Sequence, residues 1–248
     1  MCLELSIQFQ FIYFEKFLDE LYRSYHYCLY LFNMRADMNQ FDKIICVGKN
    51  YLDHAKELGD KIPENPVIFL KPSSILKMAT QWDETILCSL PKLDANTQYE
   101  CEIVLKLKKS GYNMSLTDAK EALGFVSIGL DMTMRTLQST LKQNGHPWTI
   151  AKVFKDSAVV GPWISVENFP NFMESEFSLL IDHEIRQHAY PNQMMVHPIE
   201  LIVYISKFFP LYENDIIYTG TPAGVGSVNQ GTVATLRWGS YSYKAKWE

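Results

Sequence analysis

Two glutamates, Glu100 and Glu102, stand one residue apart in the run Gln98-Tyr99-Glu100-Cys101-Glu102-Ile103-Val104-Leu105-Lys106-Leu107. From Ile103 onward this run is apolar in the manner of a strand. On a strand, residues i and i+2 project from the same face, roughly 6.5 Å apart. Two carboxylates held on one face repel each other unless a cation or a shared proton lies between them. A second apolar strand, Phe125-Val126-Ser127-Ile128-Gly129-Leu130, ends on a third carboxylate, Asp131. Three hard oxygen ligands suit Mg2+, Mn2+ or Ca2+ rather than Zn2+, which favours His and Cys. A solvated strand edge that carries two acids has the same spacing, so these residues alone leave both readings open.

His54 and Glu57 form a second chemically suggestive pair. They fall in Asn50-Tyr51-Leu52-Asp53-His54-Ala55-Lys56-Glu57-Leu58, which reads as a short helix ended by Gly59. At i, i+3 they share a helix face. A carboxylate on one imidazole nitrogen fixes the tautomer and leaves the other nitrogen as a base near neutral pH. Short surface helices also carry such pairs without function. Lys71 ends an apolar strand, and Lys152 sits in Pro147-Trp148-Thr149-Ile150-Ala151-Lys152-Val153-Phe154. Each is either a buried lysine that needs an anion or a stem snorkelling to solvent. The run Asp215 to Gly226 reads as a strand leading into a glycine-rich loop. It lacks GxGxxG and GxxxxGK[ST], and no helix pattern follows, which argues against a nucleotide site. Thr219 and Thr221 offer hydroxyls there, and the glycines let backbone approach a ligand.

The elements that must hold these groups are mostly strands. Residues 44–47 and 67–72 read as strands flanking the His54 helix, in a first module from Phe41 to about Leu90. From about Thr97 onward strands are broken by two helices. One spans residues 116–123 with Thr117 as its cap, and the other spans 197–209 with Pro198 early in it. Residues 232–238 and 241–246 alternate polar and apolar as a closing hairpin does. Strands without regular βαβ alternation predict an α+β fold that is predominantly β.

At 248 residues the chain has room for one large domain or two small ones. Its 47% hydrophobic and 21% charged residues are ordinary for a globular protein. A net charge of −5 gives no sign of a nucleic-acid or acidic-lipid partner. The five cysteines (Cys2, Cys28, Cys46, Cys88, Cys101) lack CxxC spacing. They predict reduced thiols in a reducing compartment, the cytoplasm, instead of disulfides or a zinc site. No stretch reaches the length of an uncharged membrane span. Residues 1–40 are rich in Phe, Tyr and Leu but are interrupted by Glu15, Lys16, Asp19 and Glu20. They make a poor signal or transit peptide, and as a helix they would carry a wide aromatic face. A natural start at Met34 or Met38 is the alternative, and the one preferred here.

Taken together, these segments resemble the fumarylacetoacetate hydrolase family, especially its small acylpyruvase and oxaloacetate-decarboxylase-like branch. The resemblance runs through Val47-Gly48-Lys49-Asn50-Tyr51 with His54 and Glu57, then Phe69-Leu70-Lys71-Pro72, then Tyr99-Glu100-Cys101-Glu102. It continues through Gly124-Phe125 to Asp131-Met132-Thr133 with Arg135 and Gln138, then Pro147-Trp148-Thr149 with Lys152. Gly161-Pro162-Trp163 and Thr219-Gly220-Thr221-Pro222-Ala223-Gly224-Val225-Gly226 complete it. Each motif alone is weak; the ordered series, from about Lys43 to Trp247, is specific.

The resemblance implies a mixed β-sandwich roll with a few short helices, acting as a homodimer. Residues 1–40 then form an extension and residues 41–248 the catalytic domain. It further implies that Glu100, Glu102 and Asp131 bind Mg2+ or Mn2+, with Lys152 beside the metal. Lys71, Arg135, Gln138 and Thr221 fall around a small 2-oxo acid substrate, and His54 and Glu57 on a mobile lid helix as a water-activating dyad. The activity this implies is metal-dependent hydrolysis of a C–C bond in 2,4-dioxo acids of the acylpyruvate or fumarylpyruvate type. The alternatives are an oxaloacetate decarboxylase or keto–enol tautomerase, a 2-hydroxyhepta-2,4-diene-1,7-dioate isomerase, or a non-catalytic metal-stabilised module. The chain departs from the family pattern at Thr136, where an acidic residue is usual, and at Asp182-His183, where Asn-Gly or Asp-Gly is. It is also abbreviated between Lys71 and Glu100.

Overall fold

The apolar run ending at Asp131 forms β7 (Leu123–Asp131), inside the larger of three sheets. The computed structural model describes residues 41–248, apart from Leu58, Asp60, Lys61 and Ala95. The expectations for residues 1–40, and for Leu58 at the end of the first helix, lie outside the described residues. The larger sheet runs β2 (Val67–Pro72), β1 (Lys43–Gly48), β13 (Ile216–Tyr218), β6 (Cys101–Leu107), β7, β9 (Ala158–Val160), β3 (Leu76–Met78). β10 (Ile164–Ser165) pairs with β7 off this path. β1 pairs in parallel with β13, setting Ile44 opposite Ile216. Strands of the first module and of the C-terminal half are therefore laced into one sheet.

A second sheet runs β12 (Glu184–Ala189), β11 (Phe177–Ile181), β15 (Val233–Trp238), β16 (Tyr241–Trp247), β4 (Thr85–Cys88). β15 and β16 form the expected closing hairpin. Aliphatic side chains of β6 and β7 share one core with Leu179, Leu236 and Trp247 of this sheet. The sheets also touch through polar atoms, since Tyr243 Oη donates to Ile128 O at 3.2 Å. A small third sheet runs β14 (Gly226–Ser227), β5 (Thr97–Tyr99), β8 (Thr133–Met134). The fold is predominantly β with short helices, as its composition of strands and turns predicts.

The helices differ from expectation in detail. α2 (Leu116–Ala122) is capped by Ser115, not Thr117. Ser115 Oγ accepts from Asp118 N at 3.2 Å, while Asp118 Oδ2 accepts from Ser115 N at 3.1 Å, a reciprocal capping box. α5 (Pro198–Ser206) uses His197 as its cap and stops short of Phe209. α1 (Leu52–Glu57) carries the His54 pair. Two further helices, α3 (Arg135–Gln143) and α4 (Thr149–Lys152), were not anticipated. α3 is polar except for Leu137 and Leu141, an i, i+4 stripe too narrow to stand out in the sequence. Among the described residues no helix is long and apolar enough to cross a membrane. Cys46, Cys88 and Cys101 are free and buried; burial pushes the Cys88 thiol up to about 12, far from reactive thiolate.

Candidate active site

β6 begins at Cys101, directly after a break that separates it from β5. Glu100 occupies that break and Glu102 is the second residue of β6. Cys101 turns into the core, so both carboxylates project from the other side. The sequence places both glutamates on one strand; in the structure Glu100 sits just before it. Asp131 arrives from the neighbouring strand, where Cys101 faces Leu130 and Asp131 N donates to Glu100 O at 2.9 Å. One carboxylate oxygen from each of Glu100, Glu102 and Asp131 lies within 4.8 Å of the others, and all three residues are buried. The solvated-edge alternative is thereby excluded.

The chain's own cations answer these charges unequally. Lys152, at the end of α4, donates to Glu100 Oε2 at 2.8 Å and Asp131 Oδ2 at 2.7 Å. Arg135, the first residue of α3, donates to Gln98 Oε1 at 2.7 Å, to Gln138 Oε1 at 2.8 Å and also to Glu100 Oε1. Lys71 Nζ lies 2.6 Å from Asp131 Oδ1 but donates its hydrogens to Met132 O (3.2 Å) and Ser157 O (2.6 Å). Lys71 and Asp131 Oδ1 thus form a buried ion pair. Burial would raise Glu100, but Lys152 and Arg135 outweigh it and hold its carboxyl well below the usual range. Burial likewise opposes the charge on Lys152, yet Asp131 and Glu100 prevail and raise it above an ordinary lysine. Glu102 accepts from Gly220 N at 2.7 Å, and there burial and then the charges of Asp131 and Glu100 push its carboxyl well up.

This donor set fits a divalent cation. It is all oxygen, its three carboxylates converge within 4.8 Å, and the carboxyl pushed up by its neighbours, Glu102, is one that added positive charge would bring down again.

Above the carboxylates lies a narrow cleft that opens to solvent. His54, Arg135, Gln138 and Thr221 line it together with the triad and Lys152. Lys71 is not on its wall; it is buried behind Asp131. Phe69, on the same strand as Lys71, places its ring 4.8 Å from Lys152 Nζ and shields that ammonium from water. α1 is anchored at its start by Asn50, whose amide donates to Val196 O (2.9 Å) and Thr219 O (2.8 Å) and accepts from Val196 N (2.8 Å). Glu57 Oε2 accepts from His54 Nδ1 at 3.1 Å, and Glu57 Oε1 accepts from Gly224 N at 3.0 Å. The ring is thus oriented with Nε2 free of Glu57. Gly224 has φ +101°, and a Cβ there would lie 1.9 Å from Arg186 O, so this loop position demands glycine.

Thr136 is exposed and Arg135 keeps its partners without an acid there. Thr221 does more than line the cleft. Its hydroxyl donates to Cys101 O and accepts from Gln187 Nε2, both at 2.8 Å. Gln98 and Gln187 were not anticipated. Gln98 precedes Glu100 by two residues on the same face, a detectable signal. Gln187 reaches across from the second sheet, and nothing local marks it.

The family model described as "Fumarylacetoacetate (FAA) hydrolase C-terminal" matches residues 43–241. A mitochondrial oxaloacetate tautomerase of Arabidopsis thaliana is 38% identical over 199 residues, which cover 79% of this chain and 86% of that one. A mitochondrial oxaloacetate decarboxylase of Dictyostelium discoideum is 36% identical over 201 residues, covering 79% of this chain and 90% of that one. The crystal structure of a fumarylpyruvate hydrolase from Pseudomonas aeruginosa, in complex with Mn2+ and pyruvate, is similar with a TM-score of 0.77. That protein is 34% identical, and the match covers 83% of this chain and 90% of its own. With most of its length matched, the same layered sheets and the acidic triad at their centre, the chain belongs to the fumarylacetoacetate hydrolase family.

Proposed function

We propose that this chain is a divalent-metal-dependent enzyme that interconverts the keto and enol forms of oxaloacetate, with decarboxylation through the same enolate as its companion reaction. The observation that carries this reading is the buried triad with Lys152 between Glu100 and Asp131. Relatives named for oxaloacetate chemistry support it over the C–C hydrolysis that the motifs first suggest. Glu100, Glu102 and Asp131 would hold Mg2+ or Mn2+, which supplies Lewis acidity toward a 2-oxo group. Lys152, kept protonated by its two carboxylates, sets a fixed positive charge where enolate charge develops. His54, oriented by Glu57, takes the proton from the carbon next to the ketone and delivers it to the enolate oxygen, and the reverse transfer regenerates the keto form. Arg135, preorganised by Gln98 and Gln138, receives a substrate carboxylate, with Gln138 and Thr221 beside it. The working assembly is taken as a homodimer, which light scattering checks. Cell fractionation decides between the cytoplasm, favoured by reduced thiols, and the mitochondrion, where both relatives belong by name.

A second reading, hydrolysis of acylpyruvates, is favoured by the His54–Glu57 pair, which would activate water as readily as it moves a proton on carbon. The test is a panel of oxaloacetate tautomerisation, oxaloacetate decarboxylation and hydrolysis of acetylpyruvate and fumarylpyruvate, each with Mn2+, Mg2+ or EDTA. Oxaloacetate tautomerisation is expected to be fastest, and all activity should vanish in EDTA. Faster hydrolysis than either oxaloacetate reaction would sink the first reading, and full turnover in EDTA would sink both. His54→Ala is expected to cost tautomerisation about 10²–10⁴-fold, the usual contribution of a positioned base. Decarboxylation, which abstracts no proton from carbon, should lose much less.

A further inference from the structure

Gln187 belongs to none of the motifs that mark the site, yet it is 1% exposed. Alternation along β12 turns Ala189 and Gln187 inward and would turn Ile185 inward as well. Ile185 is instead 65% exposed. The cause is a register shift against β11, where Leu179 faces Gln187 but Leu180 faces Ile185. Arg186 is the extra residue of a β-bulge, a device that re-aims a side chain. Here the bulge turns Ile185 outward, while the regular pairing of Gln187 with Leu179 and of Ala189 with Phe177 keeps Gln187 facing the first sheet.

The amide it delivers is fully used. Oε1 accepts from Cys101 N at 2.9 Å, and Nε2 donates to Thr221 Oγ1 and Pro222 O, each at 2.8 Å. Cys101 is the peptide between Glu100 and Glu102. On this edge of β6, the ladder with β13 ends at the Tyr218–Val104 pair. Beyond it side chains join the backbone: Thr219 donates to Ile103 O through both its N–H (3.2 Å) and its Oγ1 (2.8 Å), and Thr221 Oγ1 donates to Cys101 O at 2.8 Å. Gln187 closes the series by holding Cys101 N and Thr221 together. The same bulge touches the lid contact, because Arg186 O and Gln187 Cγ are the atoms a Cβ on Gly224 would meet, at 1.9 and 3.2 Å. Gly224 N is the donor to Glu57.

We propose that Gln187 is a positioning residue. It sets the spacing of Glu100 and Glu102 through the Cys101 peptide, and it seats the Thr221–Gly224 loop on which Glu57 docks. This rests on the metal-dependent reading above and adds to it a residue from the opposite sheet.

Gln187→Met tests it, since methionine keeps the length of the side chain but provides no acceptor for Cys101 N and no donor for Thr221. The readouts are Mn2+ affinity by calorimetry and the EPR spectrum of bound Mn2+, with circular dichroism to report the fold. Loss of a partner that orients metal ligands typically weakens metal affinity about 10–100-fold, and that loss is expected here with an altered spectrum and a retained fold. Thr221→Val removes the bonds of its hydroxyl to Gln187 and to Cys101 O but leaves the Gln187–Cys101 contact, so it should weaken Mn2+ less. A folded Gln187→Met protein with unchanged affinity and spectrum overturns the proposal. If that variant does not fold, Thr221→Val decides, and unchanged Mn2+ binding there overturns it equally. Failure of the unsubstituted chain to bind Mn2+ would instead sink the metal-dependent reading on which the proposal stands.

Discussion

Glu102 bears the electrostatic cost of the candidate site. Glu100 and Glu102 are both buried acids, but Lys152 and Arg135 reach Glu100, while Glu102 accepts from a backbone amide. Their carboxyls are accordingly pushed apart, Glu100 down and Glu102 up. The consequences for stability have opposite signs. Glu100 contributes stability above the unfolded carboxyl pKa of about 4.3, lost as pH falls through its depressed value. Glu102 binds its proton more tightly in the folded chain. Its share is therefore present below about 4.3 and is lost as pH rises through its raised value. Glu102→Gln keeps an acceptor for Gly220 N and abolishes that loss. In EDTA its Tm should exceed that of the unsubstituted chain, by a margin that grows from acid to alkaline pH, while Mn2+ binding disappears. A margin that is flat or reversed across a series of melts at different pH would contradict this account of Glu102.

Among the elements, the β11–β12 hairpin carries the clearest avoidable strain. Its two turn residues, Asp182 (φ 48°) and His183 (φ 76°), both lie in the left-handed region. A two-residue turn of that kind matches the twist of its strands and favours Asn-Gly or Asp-Gly. Asp182 has a local reason to be there, since its Oδ1 accepts from Val233 N at 3.1 Å. His183 is exposed and gains nothing comparable from its turn conformation. Left-handed backbone costs a residue with a Cβ roughly 1–2 kcal/mol, and glycine's greater unfolded entropy returns part of it. His183→Gly is expected to stabilise the fold by about 1 kcal/mol, read as a higher urea midpoint at unchanged slope. The site lies beyond the other end of β12, so Mn2+ affinity should not move.

At the scale of the whole molecule, the site is a joint between the two main sheets. β6 and β7 present the acids, α3 and α4 bring Arg135 and Lys152 over them, and the second sheet braces the Cys101 peptide through Gln187. A cation seated there is coupled to global stability, because the unfolded chain offers no assembled triad. At a free Mn2+ concentration about a hundredfold above its Kd, the linkage is worth roughly 2.7 kcal/mol. Thermal melts should accordingly shift upward with Mn2+, and the shift should vanish in Glu102→Gln. A metal-independent Tm for the unsubstituted chain would rule out binding to the native fold alone.

Much of this was legible along the chain. Glu100 and Glu102 share a face because side chains alternate on extended backbone, and His54 and Glu57 meet because helical neighbours fall three residues apart; both relations are local. The ordered motifs carry the family for the same reason, since each is a short stretch whose spacing survives translation into structure. What the chain did not disclose arises where distant backbone must find its register. α3 was hidden because its apolar stripe is only the half-buried Leu137 and the buried Leu141, enough to pack once β8 and α4 are in place but not enough to announce a helix. Lys71 and Lys152 look alike in sequence, each either a buried lysine that needs an anion or a stem reaching for solvent. Sheet packing alone sends Lys71 behind Asp131 and Lys152 into the cleft. Gln187 gave no signal at all, for its role depends on the approach of two sheets. Local pattern decides which face a side chain takes; which atoms it meets across the molecule is decided when the sheets pack and the registers lock.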